Sequence, residues 1–412
     1  MEFFNKYIGV VSAIMVLMLI VFFHHEIIWD EQWYVDLVGL LEAKGFTIKF
    51  LLLDPAAPMH AVLHYFLSPI THLQSPQIRL ANLALCVGIC FFLYLILKME
   101  KLTSDNILPY SFSIFILPGF FVLAFFAITE APCLLWYSIS LFLLIKYITS
   151  EKQNLLHIIL SGLFLGLAVL TRQLFLVCIG PVLVMMLYKQ FKNRLLAIIL
   201  FVTATVLVVG PIFYLWKGIV PPASLFRASA AAATEKFSIK HVFLSFGYSF
   251  FYVLVIMPAY FLNFIKNNWK IITGIAVIGF IASTFIRDDS FVPMSGLLPH
   301  VFSPSVVEII SFSFFKIVGI TSLILLYFLL SELFRNRHDF KQVFLILSML
   351  SILVTPAIIL DQFSSRYSMQ IAPLLVLFAY TRIKPIKPVL QFGINWIAIA
   401  INIISVITFF IY

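Results

Sequence analysis

The sequence predicts an all-α, polytopic membrane protein, and three observations do so. Hydrophobic residues make up 62% of the 412 and charged residues 11%, against about 45–50% and about 25% in soluble domains. The mean hydropathy is +1.08. Apolar runs of roughly 17–25 residues, the length that crosses a bilayer, recur from one end to the other. Lipid offers the backbone no hydrogen-bond partner, so each run must close its own bonds as a helix.

The runs place thirteen spanning helices at about 7–29, 76–98, 107–128, 132–148, 154–170, 173–190, 195–216, 241–265, 271–286, 305–331, 342–360, 367–381 and 389–411. Lys6 precedes the first run and no small-residue cleavage site follows it, so it reads as a retained helix rather than a signal peptide. The run from Pro58 to Leu73 is set aside, because counting it as a crossing would invert every later loop. With it excluded, Lys6, Lys98/Lys101, Lys146/Lys152, Lys189/Lys192/Arg194, Lys266/Lys270, Arg335/Arg337/Lys341 and Arg382/Lys384/Lys387 share one side, 16 of the 27 Lys and Arg. Six acids (Glu2, Glu100, Asp105, Glu151, Glu332, Asp339) accompany them, a net +10 against −1 on the opposite side.

An excess of Lys and Arg marks the cytoplasmic face. The overall charge of +9 therefore reports orientation and contact with anionic lipid, and gives no reason to invoke nucleic acid. Cys86, Cys90, Cys133 and Cys178 all fall inside apolar runs, with neither zinc-site nor disulfide spacing, and read as packing residues.

The face opposite the basic loops holds the longer polar segments, at 30–75, 217–240 and 287–304, and function is sought there. In "WDEQWYVDLVGLLEAKGF" the pattern Trp33, Leu37, Leu40, Leu41 predicts an amphipathic helix on the membrane surface, with Asp30 at its N-terminus and Gly45 as its stop. Capping by Asp30 and a favourable dipole for Glu31 would account for those two acids alone. They would leave unexplained the polar groups gathered nearby. In "DPAAPMHAVLHYFLSP", Pro58 can open a helix that puts His60 and His64 four apart on one face. That spacing suits a metal, but neither a third ligand nor an HExxH context accompanies it, so hydrogen bonding to a polar substrate is the reading adopted. His72 reads as solvated at the interface.

Isolated cations stand at the outer ends of helices: Arg172 in "LTRQLFLV", Lys217 in "FYLWKGIVPP", Arg287 in "FIRDDS" and Arg366 in "LDQFSSRYSMQIAPLL". Charge near membrane depth is costly and usually faces a cavity or a partner. Lys217 has snorkelling to the headgroups as its plain alternative. Arg172 beside Gln173, and Arg366 near Asp361 and Ser365, suit a phosphate gripped by two N–H donors, with an internal Arg366–Asp361 pair as the alternative. The Asp288/Asp289 pair reads as a solvated loop, and no metal is assigned; a divalent cation is not indicated.

Carboxylates and arginines on one face of a lipid-embedded bundle fit a sugar donor carried on a polyprenyl phosphate. Its tail would lie between helices and its phosphate against arginine. The phosphate is a competent leaving group once its charge is held, which leaves only the need for a base on the acceptor hydroxyl, and an ionised Asp can be that base.

"DEQWY", the amphipathic helix, "DPAAPMHAVLHYFLSP" and "IRLANL", in that order, resemble the first external loop of the GT-C glycosyltransferases, polytopic enzymes that take sugars from polyprenyl or dolichyl phosphate. The protein O-mannosyltransferase and aminoarabinose transferase branch has an acidic pair at this place, and "SRYSMQIAPLL" is similar to its late Arg-Tyr segment. "LTRQLFLV" and "WKGIVPP" resemble segments of the dolichyl-phosphate-glucose α-1,2-glucosyltransferases. The resemblance implies Asp30 as catalytic base with Glu31 in support. It further implies donor phosphate or sugar contacts at Arg172, Gln173, Arg366 and Lys217, and acceptor or sugar contacts at Asp54, His60 and His64. Two departures stand out: "DPAAPM" lacks the lysine that the aminoarabinose branch carries before its paired prolines, and "PPASLFRAS" lacks a Gly-Asp-Lys run, which argues against carrying glucose over.

The expected organisation is a catalytic transmembrane module over 1–240 and completing helices over 241–412. The expected partners are a polyprenyl-phosphate sugar, a glycan or lipid-linked acceptor and membrane lipid, with an active site on the non-cytoplasmic face of a bacterial inner membrane or its equivalent. A flippase or other transporter of lipid-linked sugars would favour repeated halves and polar residues at mid-membrane depth, and no repeat is evident. A polymerase or ligase of lipid-linked sugars would share the outer arginines. A nucleotide-sugar enzyme is disfavoured by the lack of a Gly-rich strand-to-helix turn.

Overall fold

The computed structural model describes residues 2–23, 26–28, 30–53, 58–99, 107–150, 153–188, 194–222, 237–285, 298–359, 363–382 and 387–411. Among the described residues the regular structure is helical throughout, and eight helices are long and apolar enough to cross a membrane. Shorter apolar helices occupy 107–116, 155–171, 173–188 and 269–282, each overlapping a stretch that the sequence assigned to a span and extending at most two residues beyond it.

Six expected spans are not single helices: 271–286 closes in a 3-10 turn (Ser283–Phe285), and in the other five proline or glycine stands at or near each break. Residues 107–128 form α6 (Ile107–Ser111), a 3-10 turn (Phe112–Ile116) and α7 (Phe120–Phe125), parted at Pro118 and Gly119. Gly119 takes φ +87°, the left-handed region that only glycine enters cheaply. A 3-10 turn (Gln173–Cys178) leads into α10 (Ile179–Tyr188). Residues 241–265 divide into α12 (Ile239–Ile256) and α13 (Pro258–Asn267), because Pro258 has no N–H to donate to the preceding turn. The last two breaks have prolines beside them: α17 (Phe340–Val354) ends in a 3-10 turn containing Pro356, and α18 (Arg366–Met369) is parted from α19 (Ala372–Tyr380) next to Pro373.

Irregular backbone at membrane depth survives only where protein satisfies it. The stretch after α7 does so through Asn82, whose side-chain N–H groups donate to the carbonyls of Leu123 (2.7 Å), Ala124 (3.2 Å) and Phe126 (2.8 Å).

The chain forms two compact units. The first comprises Val10–Phe112 and Leu123–Ala233. Its frame is α5 (Gln77–Met99), α8 (Glu130–Thr149), α9 (Leu155–Thr171) and α11 (Arg194–Trp216), each packed on the next. Ser140 and Ser161 exchange hydroxyl-to-carbonyl bonds of 2.8 and 2.9 Å between α8 and α9. Against this frame lie α2 (Asp30–Lys44), α3 (Ile48–Leu53) and α4 (Pro58–Thr71). Val38, Leu41, Phe50, Leu51 and Ala61 form their shared apolar core, and the Trp216 indole N–H donates to the Leu51 carbonyl at 2.7 Å, fastening α3 to the end of α11.

The second unit comprises Met1–Gly9, Ser113–Val122 and Thr234–Tyr412. Here α12 and α14 (Trp269–Ala282) pack on the long α16 (Pro304–Arg335), α17 packs on α19, and α20 (Pro388–Ile411) follows. Glu332 is fully buried and accepts from Tyr260 Oη (2.8 Å), Arg335 Nη1 (2.9 Å) and Arg382 Nε (2.9 Å), so one carboxylate links α13, α16 and the end of α19.

Candidate functional site

The acidic pair that opens α2 divides into two different environments. Asp30 is the first residue of the helix and is half-buried. Glu31 is fully buried. Its carboxylate accepts Arg79 Nε at 3.2 Å on both oxygens and Nη2 at 2.8 Å, and the Ala127 N–H donates to Oε1 at 3.0 Å. Arg79 in turn donates to the Glu26 carbonyl at 2.6 Å and lies over the Phe125 and Phe126 rings at 4.6 and 5.4 Å.

The start of α2, the start of α5 and the 126–129 connection that follows α7 are thus bolted together through one ion pair that water does not reach. Such a pair is strong only when every lone pair and N–H is used. Its geometric consequence is that Asp30, one residue away, is carried on a fixed backbone.

Across from α2, Tyr34 packs its ring 4.8 Å from that of His60, and His60 lies 4.4 Å from His64. Both histidines are buried, and neither nitrogen of His64 nor Nδ1 of His60 has a hydrogen-bond partner among the described residues. Burial holds the His64 imidazole down to about 4. For His60, burial and then the neighbouring His64 press it well below the ordinary range. Both rings are therefore neutral near pH 7, able to donate or accept a hydrogen bond and unsuited to attracting an anion. No group of three or more His, Cys, Asp or Glu with metal-binding geometry occurs among the described residues.

Arg172 closes α9 in an extended conformation (φ −148°) that turns the chain into the following 3-10 helix. Its guanidinium pairs with the fully buried Glu130 and donates to Thr129 Oγ1 at 3.1 Å, leaving 15% of its side chain exposed. Gln173 follows half-buried, with Nε2 lacking a hydrogen-bond partner among the described residues. Because α4 packs on both α2 and α9, the acidic pair, the two histidines and the Arg172–Gln173 corner belong to one set of contacting helices. Lys217 stands exposed beyond Trp216 at φ 51°.

Arg366, in the second unit, opens α18 half-buried, with Nε donating to Ser364 Oγ at 3.0 Å. Asp54, Arg287, the Asp288/Asp289 pair and Asp361 lie outside the described residues.

Sequence reasoning assigned no role to Arg79 or Glu130. Arg79 sits inside the quoted "IRLANL" as a charge in the first turn of a spanning helix, and Glu130 opens an apolar helix; each is the kind of costly intramembrane charge that implies a partner. Which partner each has depends on contacts 48 and 42 residues away in the chain.

No protein-family model matches the chain, and no curated protein matches it. Among solved structures it is similar to ArnT, an aminoarabinose transferase from Cupriavidus metallidurans, in the apo state: TM-score 0.53 and 15% identity, over 96% of this chain and 62% of that one. The same enzyme bound to undecaprenyl phosphate gives a TM-score of 0.53 at 14% identity, with the same coverage. AglB, an oligosaccharyltransferase from Archaeoglobus fulgidus in complex with an inhibitory peptide and a dolichol-phosphate, gives 0.48 at 12% identity over 98% of this chain and 56% of that one. The chain thus spans about 62% of the length of ArnT. What the likeness to ArnT shows is the fold, and this chain is an all-helical, multi-pass membrane protein of the GT-C fold.

Proposed function

We propose that the protein is a membrane glycosyltransferase that moves a sugar from a polyprenyl-phosphate carrier to a hydroxyl of a glycan or lipid-linked acceptor, at the non-cytoplasmic face. The observation that carries this reading is an acidic helix start held rigid by a buried Arg79–Glu31 pair. It occurs in a fold shared with a transferase that has been crystallised with undecaprenyl phosphate.

Asp30 takes the proton from the acceptor hydroxyl, and Glu31 and Arg79 position it. Arg172, Gln173 and Lys217 are proposed as donor phosphate or sugar contacts, and Arg366 is proposed for the same role. The pairing of Arg172 with Glu130 fixes its guanidinium before the ligand arrives, which lowers the ordering cost of binding. Asp54, His60 and His64 hold the acceptor or the sugar; the neutral imidazoles suit hydroxyl groups. The phosphate leaves with its charge held, so no general acid is needed. One displacement with one base and no enzymic nucleophile inverts the anomeric carbon.

The test is to incubate purified protein in lipid nanodiscs with radiolabelled undecaprenyl-phosphate sugars and an extract of lipid-linked acceptors. Label should move from one donor to an acceptor, with inversion read by NMR. Asp30→Asn should lower turnover by about 10²–10⁴-fold and retain donor binding. Wild-type turnover in that variant, or retained anomeric configuration, would refute the mechanism.

A further inference from the structure

A helical serine or threonine usually sends its hydroxyl to the carbonyl one turn back. Thr205 does so to Phe201 at 2.9 Å, Thr321 to Ile317 at 2.8 Å and Ser405 to Ile401 at 2.7 Å. Ser245 and Ser249 on α12 do not: both are fully buried and neither Oγ has a hydrogen-bond partner among the described residues. They lie one turn apart, on a stripe with His241, Tyr248 and Tyr252.

That stripe meets the chain that leads into α18. Phe363 lies 5.7 Å from the His241 ring, 6.0 Å from Tyr248 and 5.9 Å from Tyr367, and α12 packs on α18. Directly beyond are Ser368 and Gln370, 0% and 1% exposed. The Ser368 hydroxyl and both ends of the Gln370 carboxamide are also without hydrogen-bond partners among the described residues.

Buried hydroxyls and amides left unpaired are costly, and proteins rarely keep them in a cluster unless something else occupies the site. These groups are uncharged, and each hydroxyl, like the carboxamide, offers both a donor and an acceptor. The stacked Tyr248 and Phe363 rings, 25° apart, supply a flat apolar wall. Hydroxyls and an amide beside an aromatic face match a neutral sugar. Arg366 lies two residues before Ser368 and can take an attached phosphate.

We propose that this seam binds the glycosyl group of the lipid-phosphate donor, and that the group is an uncharged polyol held by Ser245, Ser249, Ser368 and Gln370. The proposal rests on the glycosyltransferase reading and assigns to that reaction the residues that select the sugar.

Binding to protein in nanodiscs would be measured for undecaprenyl phosphate, its phospho-glucose and phospho-mannose forms, and its phospho-4-amino-arabinose form. The wild type should bind at least one neutral glycosylated form about tenfold more tightly than the bare phosphate, and the amino sugar no better than the bare phosphate. Ser245→Ala/Ser249→Ala and Gln370→Met should erase that tenfold gain while affinity for bare undecaprenyl phosphate stays within about twofold. Ser405→Ala, whose hydroxyl serves its own helix, should change nothing, and melting curves establish that each variant folds.

If the wild type binds bare lipid phosphate and no neutral sugar adds affinity, or the variants keep the discrimination because the seam holds only ordered water, the proposal is wrong and the transferase reading stands. If the wild type binds none of the four lipids, the transferase reading itself falls, and the proposal with it.

Discussion

Glu31 has no exposed surface and its charge is answered by Arg79, equally buried. Removing one member of such a pair strands the other charge and costs roughly 3–5 kcal/mol, whereas replacing both can be close to neutral. Glu31→Gln and Arg79→Met should therefore each lower the melting temperature of the purified protein markedly, and the double variant should recover much of the loss. Single variants that melt with the wild type would show that the pair does not fasten α2. The sequence made Asp30 and Glu31 visible as two acids beside an apolar run, but it did not show that Glu31 is buried against a partner. That burial depends on Arg79 and the Ala127 N–H, which only folding brings to Glu31.

Between elements, close packing of α9 and α11 turns on Gly162 and Gly166. A Cβ at 162 would stand 2.4 Å from the Phe201 carbonyl oxygen, and one at 166 would stand 2.7 Å from the Val208 Cβ. Small residues let membrane helices approach and bond, and here Thr205 Oγ1 lies 3.1 Å from the Gly162 carbonyl. Gly162→Leu should destabilise the protein by about 1–3 kcal/mol or more, read as a lower melting temperature and a smaller monodisperse fraction. Gly180→Ala in α10, whose added Cβ meets nothing within 4 Å, should be neutral or slightly stabilising. Equal behaviour of the two variants would sink the close-approach argument. Element positions were legible from hydropathy because length and apolarity alone admit a helix to a bilayer. The breaks at Gly119 and Pro258 were not. Proline in a transmembrane helix can kink or continue it, and which happens depends on whether neighbouring groups satisfy the freed carbonyls, as Asn82 does for those at the end of α7.

For the whole molecule, the charge asymmetry predicts that the basic loops face the cytoplasm. A cysteine at His338, exposed between α16 and α17, and another at Ile219, 44% exposed beyond α11, test this in sealed right-side-out vesicles. A membrane-impermeant maleimide should label Ile219→Cys at once and His338→Cys only after permeabilisation; the native cysteines are all buried. The reverse pattern would move the proposed active site to the cytoplasmic face.

The sequence by itself determined the helical, multi-pass class and the asymmetry of charge, because each follows from transfer of side chains and backbone into lipid, a property local to a segment. Tertiary structure alone decided which buried charges neutralise one another, where helices break, and that Ser245, Ser249, Ser368 and Gln370 are left without hydrogen-bond partners among the described residues. Those outcomes depend on groups far apart in the chain meeting at hydrogen-bond distance, and no local pattern encodes such a meeting.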